Sequence, residues 1–487
     1  MYTIKNEDRE DMQGLLIYGY ARLKAAFYIF FTIEDRNVFK KWLKESGFQN
    51  GVKSPQDYCK NIAFTVQGLK TMIGSQLISK ETGFDLAFTE GMDTEHRKRI
   101  LGDYDFNDPG NWKWGNKDDH LTHGVLMLFA KDESTLEALY KKEFESMKTG
   151  GLRERYKIRS IGLPDNKEHF GFTDGISQPV MRGLDFHSRE DNYVNPGEFI
   201  LGHLNEYDKY PVSPTFGDFK FGNNGSYMVV REIEQDVKKF WKTICSFTGN
   251  AKGTNPIKIA SEMLGRWPNG IPLVYTEKEE EAIRLKNEKA EELRQNPNEM
   301  GEGKEKKPTM TSYLNDFNFY QNDPKGLKCP LGSHMRRANP KDSANDDPSN
   351  PNRVSNRHRM LRRGRPYGKP FVETMEIRDI IQSLDKNDNE SRGLNFICFN
   401  TDIKRQFEFV QQTWLNNIKF LGLYDEVDPI AGVRGKKNKI LPSSFTEAAC
   451  PIRNRYNEIP AFTTIKGGSY FFFPGFKALE YMWTQFT

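Results

Sequence analysis

No stretch of this 487-residue chain is apolar for long enough to span a bilayer, so a helical membrane protein is not expected. Cysteine is scarce. Cys59, Cys245, Cys329, Cys398 and Cys450 are odd in number and widely spaced, with no CxxC pair. That pattern excludes a disulfide framework and a thiolate zinc site, and it suits a reducing compartment. The opening segment, MYTIKNEDRE, has no basic-then-apolar leader, so a cytoplasmic location is the expectation. A dominant charge of one sign is also missing. The net charge is +4, with both signs interspersed, which argues against a nucleic-acid surface. The one basic cluster is Arg353, Arg357, Arg359, Arg362, Arg363 and Arg365.

Aromatic residues are plentiful. The chain holds 35 Phe, 20 Tyr and 7 Trp, far more than a disordered chain would carry, although only 37% of residues are hydrophobic and mean hydropathy is −0.73. These values describe a folded protein of two to four compact units with polar insertions. Thr276 to Pro308 is one such insertion, a charged helix followed by a Gly-rich tail, and the polar loop Ser343 to Arg353 is another.

A strand-then-helix alternation recurs four times. Ala25 to Ile33 precedes a helix from Asp35 that carries Val38, Phe39 and Trp42. Val125 to Ala130 precedes a helix starting at Ser134, with Leu136, Leu139 and Tyr140. Tyr227 to Val230 precedes a stripe of Ile233, Val237, Phe240, Trp241 and Ile244. Leu394 to Phe399 precedes Ile403, Phe407, Val410 and Trp414, with the Thr401 hydroxyl as expected cap. Trp241 and Trp414, on these stripes, are expected in the core. The pattern predicts two related α+β halves, each a sheet covered by helices.

Four short segments could carry chemistry. In GFTDGISQP, two glycines flank Asp174, which is either a turn cap or a positioned acid/base. In CPLGSHMRRANPKD, His334 is a packed core histidine or an iron ligand, with cations close behind. RMLRRGRPYG is a basic surface loop or the bearer of an arginine that stabilises developing negative charge. In GLNFICFN, strand alternation puts Leu394 and Phe396 on one face and Asn395 on the other. Those two side chains are core, or the roof of a small-molecule cavity.

Taken together, the four segments resemble the dye-decolorizing peroxidase family, in its larger, loop-rich branch. GFTDG matches the family's GxxDG motif, and the likeness runs from DMQGLLIYGY (Asp11 to Tyr20) through NIAFTVQGL and NGSYMVVREIEQDV to Phe471–Phe473. The resemblance implies two ferredoxin-like halves with antiparallel sheets covered by helices, in a dimeric α+β barrel-like arrangement. The N-terminal half is expected over residues 1–220 and the haem-binding C-terminal half over 221–487. One haem b per chain is implied, with His334 on the iron and Leu394 and Phe396 lining the distal pocket. Arg337 and Lys341 are implied at the haem edge, Lys341 standing where some relatives carry arginine. Asp174 would shuttle the peroxide proton and Arg362 would promote O–O cleavage.

The implied function is reduction of hydrogen peroxide and oxidation of bulky aromatic or dye-like donors by one-electron steps through a ferryl haem. Because a free aspartate titrates at low pH, turnover is expected to favour acid. The family is thought to pass electrons through surface Tyr or Trp. Trp112, Trp114 and Trp267 are available, and none is singled out. Neither nucleic acid nor membrane is an expected partner, and a homo-oligomer is compatible with the reading. Its rivals are a haem carrier or iron-release protein, a cofactor-free interaction protein, and a nucleic-acid binder using the arginine cluster.

Overall fold

The computed structural model describes residues 4–116, 121–184, 192–248, 255–295, 310–344, 349–434, 443–447 and 452–484. Cys450, the tail of the charged insertion from residue 296 onward and residues 345–348 of the polar loop lie outside the described residues. Among the described residues no helix is long and apolar enough to cross a membrane.

Nine strands form one antiparallel sheet that closes on itself. The N-terminal half supplies β1 (Ala25–Ile33), β2 (Tyr58–Phe64), β3 (Gly124–Ala130) and β4 (Leu152–Ile161), with α1 (Arg36–Glu45) after β1 and α2 (Glu133–Thr149) after β3. The C-terminal half supplies β5 (Ser226–Gln235), β6 (Leu361–Arg362), β7 (Arg365–Tyr367), β8 (Gly393–Asn400) and β9 (Thr463–Phe473). Its helices include α3 (Val237–Thr248), α4 (Pro256–Leu264), α5 (Glu279–Gln295) and α6 (His334–Ala338), and it also holds two π-helical turns, Lys404–Glu408 and Val410–Leu415.

The strand order is β5-β9-β2-β3-β1-β4-β7-β8-β6, and β5 also pairs with β8. Within the N-terminal half the order is β2-β3-β1-β4. Within the other half it is β9-β5-β8 with β6 and β7 beyond. Each is the order of a ferredoxin-like β-α-β-β-α-β unit. The two units join edge to edge by narrow seams, Phe472 opposite Phe64 and Ser160 opposite Tyr367. Closure removes the open edges that a nine-stranded sheet would otherwise present.

The closed sheet explains why β1 reads as an unbroken apolar run. Its Ala26, Tyr28 and Phe30 point into the barrel with Met127, Phe129, Met228, Ile397 and Phe471. Its Phe27, Ile29 and Phe31 point outward beneath the helices with Phe39, Leu126, Leu136 and Phe472. All nine residues of β1 are buried, so alternation of polar and apolar side chains has no place there.

Three local expectations need correction. Ile233 belongs to β5 rather than to the α3 stripe, because ladders with both β8 and β9 hold the strand extended to Gln235. The helix expected from Ser134 begins at Glu133, capped by Asp132, whose carboxylate accepts from the Thr135 amide. Thr401 does not cap the helix after β8: its hydroxyl donates to the Gly197 carbonyl at 2.6 Å, and Asp402 accepts from the Arg405 amide instead. Trp241 and Trp414 are buried as expected, and so are Trp112, Trp114 and Trp267.

Candidate functional site

The loop before Asp174 is built by its own carboxylate. Glu168 accepts from the Phe170 and Phe172 amides, both at 3.0 Å, and from the Gln235 side chain at 2.6 Å. Burial outweighs those three donors and pushes the Glu168 carboxyl up to about 7. Gly171 turns the chain at φ +99°, where a β-carbon would lie 2.8 Å from Ile377. The Asp174 amide then donates to the Asn166 carbonyl at 2.9 Å, and its carboxylate accepts from the Gly175 amide at 2.6 Å. The aspartate is therefore held in a hydrogen-bonded turn, as the turn-cap reading of its motif expects.

Arg362 ends the short strand β6, opposite Cys398 of β8. Its amide donates to the Gln178 side chain at 3.1 Å, which ties the arginine strand to the aspartate motif. On β8, Leu394 and Phe396 sit opposite Ile233 and Arg231 of β5 and keep partial exposure, whereas Asn395 between them is buried. Strand alternation thus places both on the face expected.

His334 begins α6. Its Nδ1 lies 3.0 Å and 3.1 Å from the two carboxylate oxygens of Asp428. Asp428 is fully buried and accepts further from the Ile430 and Ala431 amides, at 2.9 Å and 2.7 Å. Burial opposes charge on both members of the pair. Their mutual attraction outweighs it, holding the imidazole above and the carboxyl below their ordinary values. With Nδ1 engaged, Nε2 is the nitrogen left for a ligand. Sequence reasoning missed Asp428: it lies 94 residues after His334 in a loop with no recognisable pattern.

One cavity of about 330 Å³ collects these groups. His334, Asp174, Arg362, Leu394 and Phe396 all line it, together with apolar side chains such as Phe172, Ile233, Val410 and Ile465. The His334 side chain is 34% accessible while its partner Asp428 is 0% accessible, so the ring opens from a buried support. Size and lining suit a cofactor site, a mostly apolar hollow with a few placed polar groups.

Two expected residues are elsewhere. The Arg337 guanidinium donates to the carbonyls of Trp414, Asn417 and Glu426, at 2.8 to 3.0 Å. The Lys341 ammonium donates to the carbonyls of Asn315 and Phe317, at 2.6 Å and 2.5 Å. Both are buried and absent from the cavity wall, so the expectation that they meet a haem edge is corrected. Both side chains thus direct hydrogen bonds onto buried backbone carbonyls.

Three arginines of the basic cluster are turned onto backbone carbonyls. Arg363 donates to the Leu15 and Leu16 carbonyls, Arg365 to those of Leu23 and Tyr20, and Arg359 to that of Ser177. Arg266, on a different segment, also reaches the cavity and was not anticipated.

No protein-family model matches the chain. It is similar to Peroxidase 2 of Mycetinis scorodonius, 25% identical over 494 residues that cover 96% of this chain and 86% of that protein. It is similar too to the multifunctional dye peroxidase DyP2 of an Amycolatopsis species, 26% identical over 392 residues, 77% of this chain and 74% of that one. Among solved structures, a dye-decolorizing peroxidase in complex with 2,6-dimethoxyphenol superposes with a TM-score of 0.71 at 20% identity, covering 98% of this chain and 99% of that one. The DyP-type peroxidase of an Anabaena species gives 0.73 at 21% identity, over 98% and 95% of the two chains. In sequence over nearly its whole length the chain is similar to dye-decolorizing peroxidases, and it shares the fold of their solved structures.

Proposed function

We propose that this chain is a haem peroxidase that reduces hydrogen peroxide and oxidises bulky aromatic or dye-like donors one electron at a time. The observation that carries the reading is the meeting, in one cavity, of an imidazole backed by a carboxylate with an aspartate and an arginine that has no carboxylate partner among the described residues. The donor set fits a haem. Among the described residues no group of three or more His, Cys, Asp or Glu could hold a bare ion. A single imidazole with Nδ1 occupied suits an iron whose ligands other than the protein's would come from a porphyrin.

His334 would hold the iron through Nε2, and Asp428 would fix the ring and raise its basicity. A haem so held supplies the redox capacity: two electrons to peroxide, then one from each of two donor molecules. The carboxylate of Asp174 takes the proton from one oxygen of entering peroxide and returns it to the departing oxygen. Arg362 stabilises the negative charge that grows on that oxygen as the O–O bond lengthens. Leu394 and Phe396 narrow the approach, so that peroxide enters and larger molecules are kept from the reacting atoms.

The test is spectroscopic. Purified protein supplied with haem should give a histidine-ligated spectrum that His334→Ala abolishes, and peroxide should change the wild-type Soret band within milliseconds. A colourless protein, or a spectrum indifferent to His334→Ala, overturns the reading.

A further inference from the structure

Four guanidinium groups line the cavity, and one of them has a carboxylate. Arg231, on β5, pairs with Asp103. Arg266, Arg359 and Arg362 have only neutral partners among the described residues. Arg266 donates to the carbonyls of Gly270 and Leu314, at 2.9 Å and 2.8 Å, and to the Ser177 hydroxyl at 2.9 Å. Arg359 donates through one nitrogen to the Ser177 carbonyl at 3.1 Å. The Arg362 guanidinium makes no hydrogen bond among the described residues. Ser177, three places after Asp174, thus gathers two arginines from distant segments to one end of the cavity.

Uncompensated positive charge in a low-dielectric wall is costly, so this end of the cavity is built to receive anions. Burial, reinforced by Arg362, lowers Arg359 to about 9 and Arg266 to about 10. A haem carries two carboxylates on adjacent positions of one edge, and Arg337 and Lys341 are occupied elsewhere. We propose that Arg359 and Arg266 bind the haem propionates, Arg359 through the nitrogens that Ser177 leaves open and Arg266 as a fixed charge beside it. This rests on the haem reading above.

The experiment is titration of the apoprotein with haem b and with its dimethyl ester, which keeps the iron and the ring but not the carboxylates. Binding is followed by the Soret band. Wild type should prefer haem b, and Arg359→Leu or Arg266→Leu should weaken haem b binding roughly 10- to 100-fold while leaving the ester nearly unchanged. Arg359→Lys should recover part of the preference. Equal weakening of both ligands would mean that the arginines merely support the wall, and would overturn the proposal. So would an unaltered preference in both leucine variants. If wild-type protein bound neither ligand through His334, the haem reading itself would fail, an outcome distinct from loss of discrimination.

Discussion

Asp428 accepts from the His334 ring at 3.0 Å while the amides of Ile430 and Ala431 pin its Oδ1, so the imidazole is oriented by backbone as well as by charge. Such a partner makes the ring a stronger donor to a metal.

Asp428→Asn keeps one acceptor oxygen and removes the charge. Haem affinity is expected to fall about 10- to 100-fold, and the iron reduction potential to move positive, because a less basic imidazole favours the ferric form less. Potentiometry on the reconstituted variant checks this; an unmoved potential would show that the carboxylate only fills space.

How legible this site was depends on whether its signal is local. His334, Asp174 and Arg362 stand in short segments whose glycines, prolines and cations mark them. Asp428 has no such marking; only folding brings it to the histidine. Arg337 and Lys341 were misplaced for a related reason. Their positions near His334 are local facts, but the direction of each side chain is set by carbonyls of segments far along the chain, near Trp414 and Asn315. The strands show the same division. β1 and β8 were readable because apolar residues fill them, whereas β7, Arg365–Tyr367, contains a proline and two polar positions and is a strand only because it lies between β4 and β8.

The two glycines of the aspartate motif should respond differently to alanine. At Gly171 a β-carbon would meet Ile377 at 2.8 Å in a backbone of φ +99°; at Gly175, φ +78°, nothing lies within 4 Å. Gly171→Ala is therefore expected to cost about 1–3 kcal/mol in backbone strain plus the clash, and to displace Asp174. Gly175→Ala should cost only the strain. Denaturant melts and peroxide kinetics on both variants test the contrast, and equal effects would refute it.

Glu262, on α4, supplies a pH test away from the site. Burial, then the neighbouring Glu447 charge, push its carboxyl up to about 9, and its side chain is 3% exposed. The unfolded value is about 4.3. The folded state therefore holds a proton that the unfolded chain releases, and the stability this contributes, complete below the unfolded value, is lost as pH rises through about 9. Glu262→Gln should match wild type near pH 4 and exceed it by about 1–3 kcal/mol at pH 8. A stability difference that does not change between those pH values would contradict the assignment.

Asp174 and Arg362 are joined through Gln178 and line the same cavity, so they should act as a unit on peroxide. Asp174→Asn is expected to lower kcat/KM for peroxide about 10²- to 10⁴-fold, and Arg362→Leu about 10²- to 10³-fold, with the histidine-ligated spectrum retained in each. If the carboxylate moves the proton while the guanidinium stabilises the charge that move creates, removing one leaves little for the other to do. The double variant should then lose scarcely more than the worse single variant. Losses that multiply would mean that the two side chains serve separate steps, and the concerted proton transfer proposed for this cavity would have to be abandoned.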